Sequence, residues 1–418
     1  MWTRRAFLKT GSLALFSATL GGTPLFLTRT AQAAPAQMGD RRRTLVCIFQ
    51  RGAMDGLMAV QPLGDASLQS VRPQLHMALG GKGLLELDGR FGLHPGLSAL
   101  HPAFRSGKLA IVHGVGSPDS TRSHFDAQDY METGTPGRKG TASGWLNRAT
   151  GLLGHEATPF QSVAITRALP RSLYGPNPAL AIANLDQFQV QVGRGKRKSV
   201  DTGGGKSLEE MYRETSQDLL RGTGSETFDA MKILSSDEFR NYRPRPGANY
   251  PGSGLGQSLR QMAQLIKAGV GLEVGFAESG GWDTHVRQGT ENGTFFQRGN
   301  ELAQAIAAFW TDLGEHQDKV TVMTMTEFGR TVAQNGSGGT DHGRGSCLFV
   351  LGNDVVGGRV YGSVPELAKE NLEDGRDLPV TTDFRAVFSE VAAKHLQLAS
   401  TGGLFPGWGG RPLSLLRS

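Results

Sequence analysis

Aspartate and histidine side chains recur along this chain in polar or glycine-rich segments that follow apolar runs. Carboxylate oxygens and imidazole nitrogens are common ligands of divalent metals in proteins. A metal held by such groups can bind a phosphate or sulfate ester and activate an oxygen nucleophile. The candidate metal ligands are Asp55, Asp283, His285, Asp341 and His342.

A second group of residues could act on a substrate directly. Ser123 is a candidate nucleophile, and His124 beside it is a candidate catalytic residue that could also replace a missing metal ligand. Arg122 in the same segment could pair with an anionic substrate group, and Arg330 could do the same. We therefore predict Arg122, Ser123 and His124 as catalytic residues.

Each of these signals also has an ordinary structural explanation. Asp-Gly and Asp-His-Gly sequences often form turns that the aspartate side chain stabilises. Ser123 could cap a helix, which is compatible with a catalytic role. The arginines could instead hold nearby acidic residues such as Asp126 and Glu327. The occurrence of several Asp and His residues together after predicted strands favours the metal interpretation. The other histidines have no candidate ligands near them in the sequence and are interpreted as structural.

Short, continuous apolar runs predict the strands that must position these residues, because such runs are typical of strands buried on both faces of a parallel sheet. Apolar residues at helical spacing predict helices at 259–268 and 299–313. This alternation favours an α/β fold with a mostly parallel, doubly wound sheet. The predicted strands are 44–50, 109–115, 162–166, 272–277, 320–325 and 347–351.

The polar candidates follow four of these predicted strands. In an open parallel sheet, ligands bind beyond the carboxyl ends of the strands, where the loops gather. We therefore expect the candidate residues to meet at that edge of the sheet.

The amino terminus predicts a twin-arginine signal peptide at residues 1–33. Arg4 and Arg5 precede an apolar stretch at 11–27, and an Ala-Gln-Ala sequence ending at Ala33 has the small residues of a cleavage site. A retained membrane anchor is the alternative, but a span needs about 20 apolar residues without breakers. We expect cleavage, the twin-arginine export machinery as a partner, no stable membrane span, and a periplasmic or secreted protein.

Residues 34–418 predict a single large domain, because no break in composition separates two cores. The segment 187–257 is rich in glycine, arginine and proline and predicts an irregular insertion or a cap over the sheet. The 59 glycines follow no fixed period, which excludes collagen-like and repeat architectures.

Charge and cysteine content exclude further classes of protein. The chain has 44 basic and 38 acidic residues, and removal of residues 1–33 would leave 40 basic against 38 acidic. Nucleic-acid binding is therefore not expected. Cys47 and Cys347 each lie in an apolar run. Two cysteines exclude a disulfide-rich protein, and a single disulfide between them is the alternative to two free thiols.

Seven short motifs are spread over nearly the whole chain that follows the signal. They are Arg-Gly-Ala-Met-Asp-Gly-Leu at 51–57, Val-Arg-Pro at 71–73, Phe-Gly-Leu-His-Pro at 91–95, Arg-Ser-His-Phe at 122–125, Gly-Trp-Asp-Thr-His at 281–285, Glu-Phe-Gly-Arg-Thr at 327–331 and Gly-Thr-Asp-His-Gly at 339–343. Together they resemble a bacterial twin-arginine-exported family, the domain of unknown function 1501. That family is grouped with the alkaline phosphatase and sulfatase superfamily.

The resemblance implies an alkaline phosphatase-like fold, in which a mixed, mostly parallel sheet lies between helices and carries a metal site at its strand ends. Asp55 matches the superfamily's metal-binding aspartate after the first strand, and the Asp-His pair at 341–342 matches a second ligand pair. The Asp-x-His sequence at 283–285 would serve a second metal, and Ser123 falls where the nucleophile is expected. Neither cysteine lies in a Cys/Ser-x-Pro-x-Arg sequence, so a formylglycine sulfatase is not expected.

We therefore expect an exported, metal-dependent hydrolase of phosphate or related esters. It would use one or two ions of zinc, manganese, iron or magnesium and act on an anionic small molecule or a glycan. The alternative is a non-catalytic exported protein that binds a glycan or an envelope component on the same scaffold. The superfamily usually supplies a further histidine late in the chain, whereas the only later one here, His395, lies in a predicted helix at 384–398. This incomplete set of metal ligands favours the alternative, whereas the clustering of Asp and His at strand ends favours the enzyme.

Overall fold

The computed structural model describes residues 42–155, 157, 158, 160–185, 236, 239 and 241–417. The predicted signal peptide at 1–33 lies outside the described residues. Most of the predicted insertion at 187–257 also lies outside them, namely residues 187–235, 237, 238 and 240. No helix among the described residues combines the length and apolar character needed to cross a bilayer.

The centre of the fold is a nine-stranded sheet, accompanied by a smaller three-stranded sheet in the order β2-β4-β3. The large sheet has the order β11-β5-β10-β9-β1-β8-β6-β7, and β12 pairs with β5. The strands are β1 (Thr44–Gln50), β2 (Val60–Pro62), β3 (Leu85–Glu86), β4 (Phe91–Leu93), β5 (Leu109–Gly116), β6 (Ser162–Ala164), β7 (Leu180–Ala181), β8 (Val274–Ser279), β9 (Val320–Met325), β10 (Ser346–Leu351), β11 (Arg359–Tyr361) and β12 (Thr382–Asp383).

One strand of the described sheet runs against all the others. β10 is antiparallel to both β5 and β9, whereas the remaining pairs are parallel. Ser346 at the start of β10 pairs with Val115 near the end of β5. The segment that precedes β10 therefore arrives at the edge where the parallel strands end.

Helices cover both faces of the sheet. The short helices are α1 (Gly56–Ala59), α2 (Ala66–Val71), α3 (His101–Arg105), α4 (His124–Thr133) and α5 (Trp145–Gly151). The longer ones are α6 (Gly254–Lys267), α7 (Thr294–Leu313) and α8 (Phe384–His395). Single turns of 3-10 helix occur at Arg171–Leu173 and Lys369–Asn371, and longer ones at Pro95–Leu100 and Gly314–Lys319.

The central strand β1 contributes to a hydrophobic core on each face, because successive side chains of a strand point in opposite directions. Val46 and Ile48 pack in the core that contains residues of α6 and α7. Phe49 packs in the core that contains Trp145 of α5 and residues of α8. Burial of each such side chain stabilises the fold by about 1.5 to 3 kcal/mol, and the result is a three-layer α/β/α arrangement.

The sequence-based strands and helices are confirmed with small changes at their ends. All six apolar runs form strands of the large sheet, and the two segments with helical spacing form α6 and α7. The mixed, mostly parallel sheet between helices also agrees with the prediction. The open question of a bridge between the cysteines is answered, since Cys47 and Cys347 are both free and buried and belong to different cores.

Candidate metal centre at the carboxyl edge of the sheet

Four chain segments meet at the carboxyl edge of the parallel strands. His124 is the first residue of α4, which follows β5, and Asp283 lies in the loop after β8. Glu327 is the second residue after β9, and His342 precedes β10. The reversed direction of β10 brings His342 to the same edge as the loops that follow the other strands.

His124, Asp283 and His342 form a group that could hold a metal ion, because one ligand atom of each lies within 4.8 Å of the other two. The Nε2 atoms of His124 and His342 are 3.0 Å apart. The Asp283 carboxylate lies 3.4 Å from the first of these nitrogens and 3.3 Å from the second. Each of the three side chains is partly exposed, so the group is open to solvent.

The tautomers of the two histidines are set by groups on the far side of each ring. Nδ1 of His124 lies 2.8 Å from the Glu327 carboxylate, and Nδ1 of His342 lies 2.9 Å from the backbone carbonyl oxygen of Arg122. Both partners are acceptors, so each Nδ1–H donates and each neutral ring turns an unprotonated Nε2 toward the other. Acceptors on the outer nitrogen are the usual support of a metal-binding histidine.

Two unprotonated nitrogens at 3.0 Å repel each other unless a cation or a proton lies between them. Ligand atoms bound at 2.0 to 2.1 Å around a tetrahedral metal ion are separated by about 3.3 Å. The separations among His124, Asp283 and His342 span 3.0 to 3.4 Å. The three side chains therefore fit a divalent metal ion in both chemistry and spacing.

His285 lies at the edge of this group and forms a pair with Asp341. Its Nε2 is 2.9 Å from Nε2 of His342 and 3.1 Å from the Asp283 carboxylate. Its Nδ1 donates to the Asp341 carboxylate at 2.9 Å, and this hydrogen bond lowers the pKa of Asp341. An imidazole held by a carboxylate in this way can act as a general base beside the three-residue group.

Charged neighbours keep the acidic residues of the site ionised. Burial alone would raise the pKa of Asp283, but the hydrogen bond and the charge of Arg330 hold it below its usual value. Arg330 itself is buried and contacts Asp283 at 2.7 Å. An ionised Asp283 is the form that a metal ion requires.

Glu327 and His124 shift each other's pKa values. Burial opposes ionisation of Glu327, but hydrogen bonds from His124, Gln128 and the backbone hold its pKa below the usual range. The hydrogen bond to Glu327 in turn raises the pKa of His124. Burial lowers the pKa of His342, so the two rings differ in how readily each is protonated.

The protein family described as a protein of unknown function (DUF1501) matches residues 42–404, which include every residue of this site. The chain belongs to this family. Comparison of the DUF1501 chain with curated proteins yields no match.

Among solved structures, the DUF1501 chain is similar to the crystal structure of the lipoteichoic acid synthase LtaP from Listeria monocytogenes. Sequence identity is 8%, the match covers 82% of this chain and 72% of that one, and the TM-score is 0.30.

Asp55 was predicted as a metal ligand, but the DUF1501 structure gives its carboxylate other partners. Arg72 contacts both oxygens, at 2.9 and 3.2 Å, and both side chains are buried. Gln288 donates to Asp55 at 2.7 Å, and the backbone N–H of Met58 donates to it at the start of α1. Asp55 therefore caps a helix and neutralises a buried arginine, and it is not among the three side chains that converge.

The remaining predicted residues of this DUF1501 chain lie in or around the group in different roles. Asp283, His342 and His124 converge, and Asp341 contacts the ring of His285. The guanidinium of Arg122 is paired with Asp377 and Asp374, so only its carbonyl reaches the site. Ser123 is exposed at the N-cap of α4, and its hydroxyl makes no capping hydrogen bond.

Sequence reasoning considered Glu327 only as a partner for an arginine and gave no role to Arg72, although both lie in family motifs. Glu327 lies two residues after the end of β9, so the rule of strand ends could have selected it as a site residue. Arg72 lies at the end of α2, away from any strand of the large sheet, and nothing in the local sequence indicates that it would be buried against Asp55.

Close backbone packing fixes the position of the Asp283 loop. Gly52 has φ +114°, and a Cβ atom at this position would lie 2.5 Å from the backbone nitrogen of Asp283. The N–H of Gly52 also donates to Glu327 at 2.8 Å. Gly52, in the loop after β1, therefore supports both Asp283 and Glu327 and must lack a side chain.

Replacement of Asp55 separates a structural role from a ligand role. Asp55→Asn leaves Arg72 buried without a carboxylate, and we expect a loss of about 3 to 5 kcal/mol in the free energy of unfolding. Metal content of the folded protein should not change. The matched control is Asp65→Asn at the N-cap of α2, where asparagine caps as well as aspartate and the loss should be about 1 kcal/mol or less. Loss of bound metal in folded Asp55→Asn protein would restore its assignment as a ligand.

Replacement of Gly52 tests the support of the Asp283 loop. In Gly52→Ala the new methyl group must displace the loop, and we expect metal affinity to fall on the order of tenfold, as for other changes behind a metal ligand. Gly64→Ala is the control, since Gly64 also has a positive φ of +74° but nothing lies within 4 Å of the added carbon. Metal titration of both variants should show the loss in Gly52→Ala alone; equal affinities would contradict the packing argument.

Proposed function

We propose that this protein is a metal-dependent hydrolase of phosphate or related esters whose metal is held by His124, Asp283 and His342. The observation that supports this proposal is the convergence of the three ligand atoms, with each histidine fixed by an acceptor on its outer nitrogen. Three protein ligands and an open side are typical of catalytic metal sites, whereas structural sites are closed by four.

The three side chains suit metals that accept imidazole together with one carboxylate. Zinc, iron and manganese take such ligand sets, whereas magnesium prefers oxygen alone. A divalent ion bound here would polarise the ester oxygen and lower the pKa of an attacking water. The choice of phosphate or related esters as substrates is supported by the sequence motifs that resemble the alkaline phosphatase and sulfatase superfamily.

Protons are moved by the pair of His285 and Asp341. Because Nδ1 of His285 donates to Asp341, its Nε2 is unprotonated and faces Asp283 and His342, where it accepts a proton from a bound water molecule. Asp341 stabilises the imidazolium that results, in the way that a carboxylate supports the base of a catalytic triad. This water is the nucleophile in the proposal, since the hydroxyl of Ser123 has no base in contact with it among the described hydrogen bonds.

Arg330 keeps the metal ligand in place during this chemistry. Its buried guanidinium contacts Asp283 and also donates to the hydroxyl of Thr340 at 3.3 Å. The arginine therefore orients the carboxylate from behind and is itself remote from solvent. Its role in the proposal is to position Asp283, not to bind the anionic substrate.

Elemental analysis of protein purified without a metal-affinity tag tests the metal centre. We expect about one equivalent of zinc, iron or manganese per chain and its loss in His342→Ala, because a three-ligand site cannot spare a ligand. The control is His316→Ala, which removes a histidine from the Gly314–Lys319 turn, away from the site. Stably folded wild-type protein that takes up none of these metals would sink the proposal and favour a non-catalytic binding protein.

The role of His285 is tested by replacing its partner. Asp341→Asn should retain the metal but lower kcat at least tenfold on any phosphate, phosphonate or sulfate ester that the wild-type protein hydrolyses, because the amide no longer stabilises the protonated ring. His285→Gln should show the same retention of metal and a loss of kcat that is not smaller. Loss of metal in Asp341→Asn instead would identify His285 and Asp341 as parts of the metal site and would remove the general base from the mechanism.

A further inference from the structure

A second cleft, of about 760 Å³, opens at the same edge of the sheet as the metal centre. Its walls come from the segments that follow β6 and β8 and from the first half of α6. Clefts outside the carboxyl ends of parallel strands are where α/β proteins bind ligands. The cleft is a separate feature of the fold, because it does not include His124, Asp283 or His342.

Four arginines line the cleft, and two of them are already neutralised. Arg51 contacts Glu132 at 2.9 Å and Glu278 at 2.6 Å, and Arg171 contacts Asp129 at 2.9 Å. The two acidic residues that line the cleft are also paired with arginines. Glu278 is the partner of Arg51, and the remaining one, Glu301, pairs with an arginine of its own helix at 2.7 Å.

Arg167 and Arg260 are the two lining arginines that have no acidic partner among the described residues. Arg167 is exposed, and Arg260 is half-buried with its guanidinium 6.0 Å from the centre of the Tyr242 ring. The cleft therefore carries an excess of positive charge on two planar groups that can each bind an oxyanion through two hydrogen bonds.

The cleft adjoins the loop that carries Asp283. Gly280 lines the cleft and is three residues before Asp283. At no more than about 3.6 Å per residue, their Cα atoms are separated by at most about 11 Å. A second connection runs through Arg51, which donates to Gln128 at 2.9 Å, while Gln128 donates to Glu327 at 2.8 Å.

We propose that this cleft is an oxyanion-binding site in which Arg167 and Arg260 hold a carboxylate, phosphate or sulfate group of the substrate. The group that reacts lies at His124, Asp283 and His342, and the anion held in the cleft is a second one on the same molecule. Binding of the anion does not depend on the metal, but its use as a substrate subsite rests on the proposed hydrolase function. The substrate class is therefore an ester that carries a second anionic group.

Inorganic phosphate is the probe that tests the cleft. Its affinity is measured by calorimetry for protein treated with a chelator, and for His342→Ala, so that phosphate cannot bind through a metal. We expect both proteins to bind phosphate equally. The double variant Arg167→Gln, Arg260→Gln should bind it at least tenfold more weakly, because glutamine keeps a polar side chain but removes both charges. Arg105→Gln, which changes an exposed arginine near Glu86, is the control and should bind as the wild type does.

The outcomes separate the two proposals. Absence of phosphate binding in the chelated wild-type protein, or equal affinity in the double variant, overturns the anion site whatever the metal analysis shows. Phosphate binding that survives in His342→Ala and is lost in the folded double variant supports the anion site even if no metal is found. Once a hydrolysed ester is known, the double variant should raise KM for esters that carry a second anionic group and leave KM for singly charged esters unchanged; equal effects on both would exclude the subsite role.

Discussion

The candidate site depends on the hydrogen bonds that the buried carboxylate of Glu327 accepts. Its side chain is fully buried, and a buried charge is tolerated only where hydrogen bonds and opposite charge replace water. The same oxygen accepts from the backbone of Gly52, from Gln128 and from His124, each at 2.8 Å. These donors belong to the loop after β1 and to α4, whereas Glu327 itself follows β9. One charge therefore fixes three segments of chain relative to one another and sets the ring orientation of His124.

Much of the fold could be predicted from the sequence because its strands are buried on both faces. A continuous apolar run such as Val320–Met325 is conspicuous, and all six runs became strands. The direction of β10 could not be obtained in this way, since an apolar run has the same composition in either direction. That direction matters for function, because it determines whether His342 reaches the edge where the parallel strands end.

The residues that form the candidate site could largely be predicted from the sequence, but the role of each residue could not. The rule of strand ends selected His124, Asp283 and His342, and the structure brings these three together. It did not reveal which carboxylates face a metal and which face an arginine or an imidazole. Asp55 and Asp341 illustrate the limit: each occurs in a motif that would suit a ligand, yet one contacts Arg72 and the other contacts His285. Such pairings depend on residues far apart in the sequence, and one chain carries no signal for them.

The central position of β1 has a consequence for how the chain folds. Leu45 pairs with Val274 on one side and with Thr321 on the other, so the first strand to be synthesised has no neighbour in the sheet until most of the chain exists. Contacts between such distant residues require the closure of very long loops, and proteins rich in them fold slowly. A nascent chain of this kind carries a mostly apolar segment at Thr44–Gln50, which is exposed to aggregation until its neighbours in the sheet have been made.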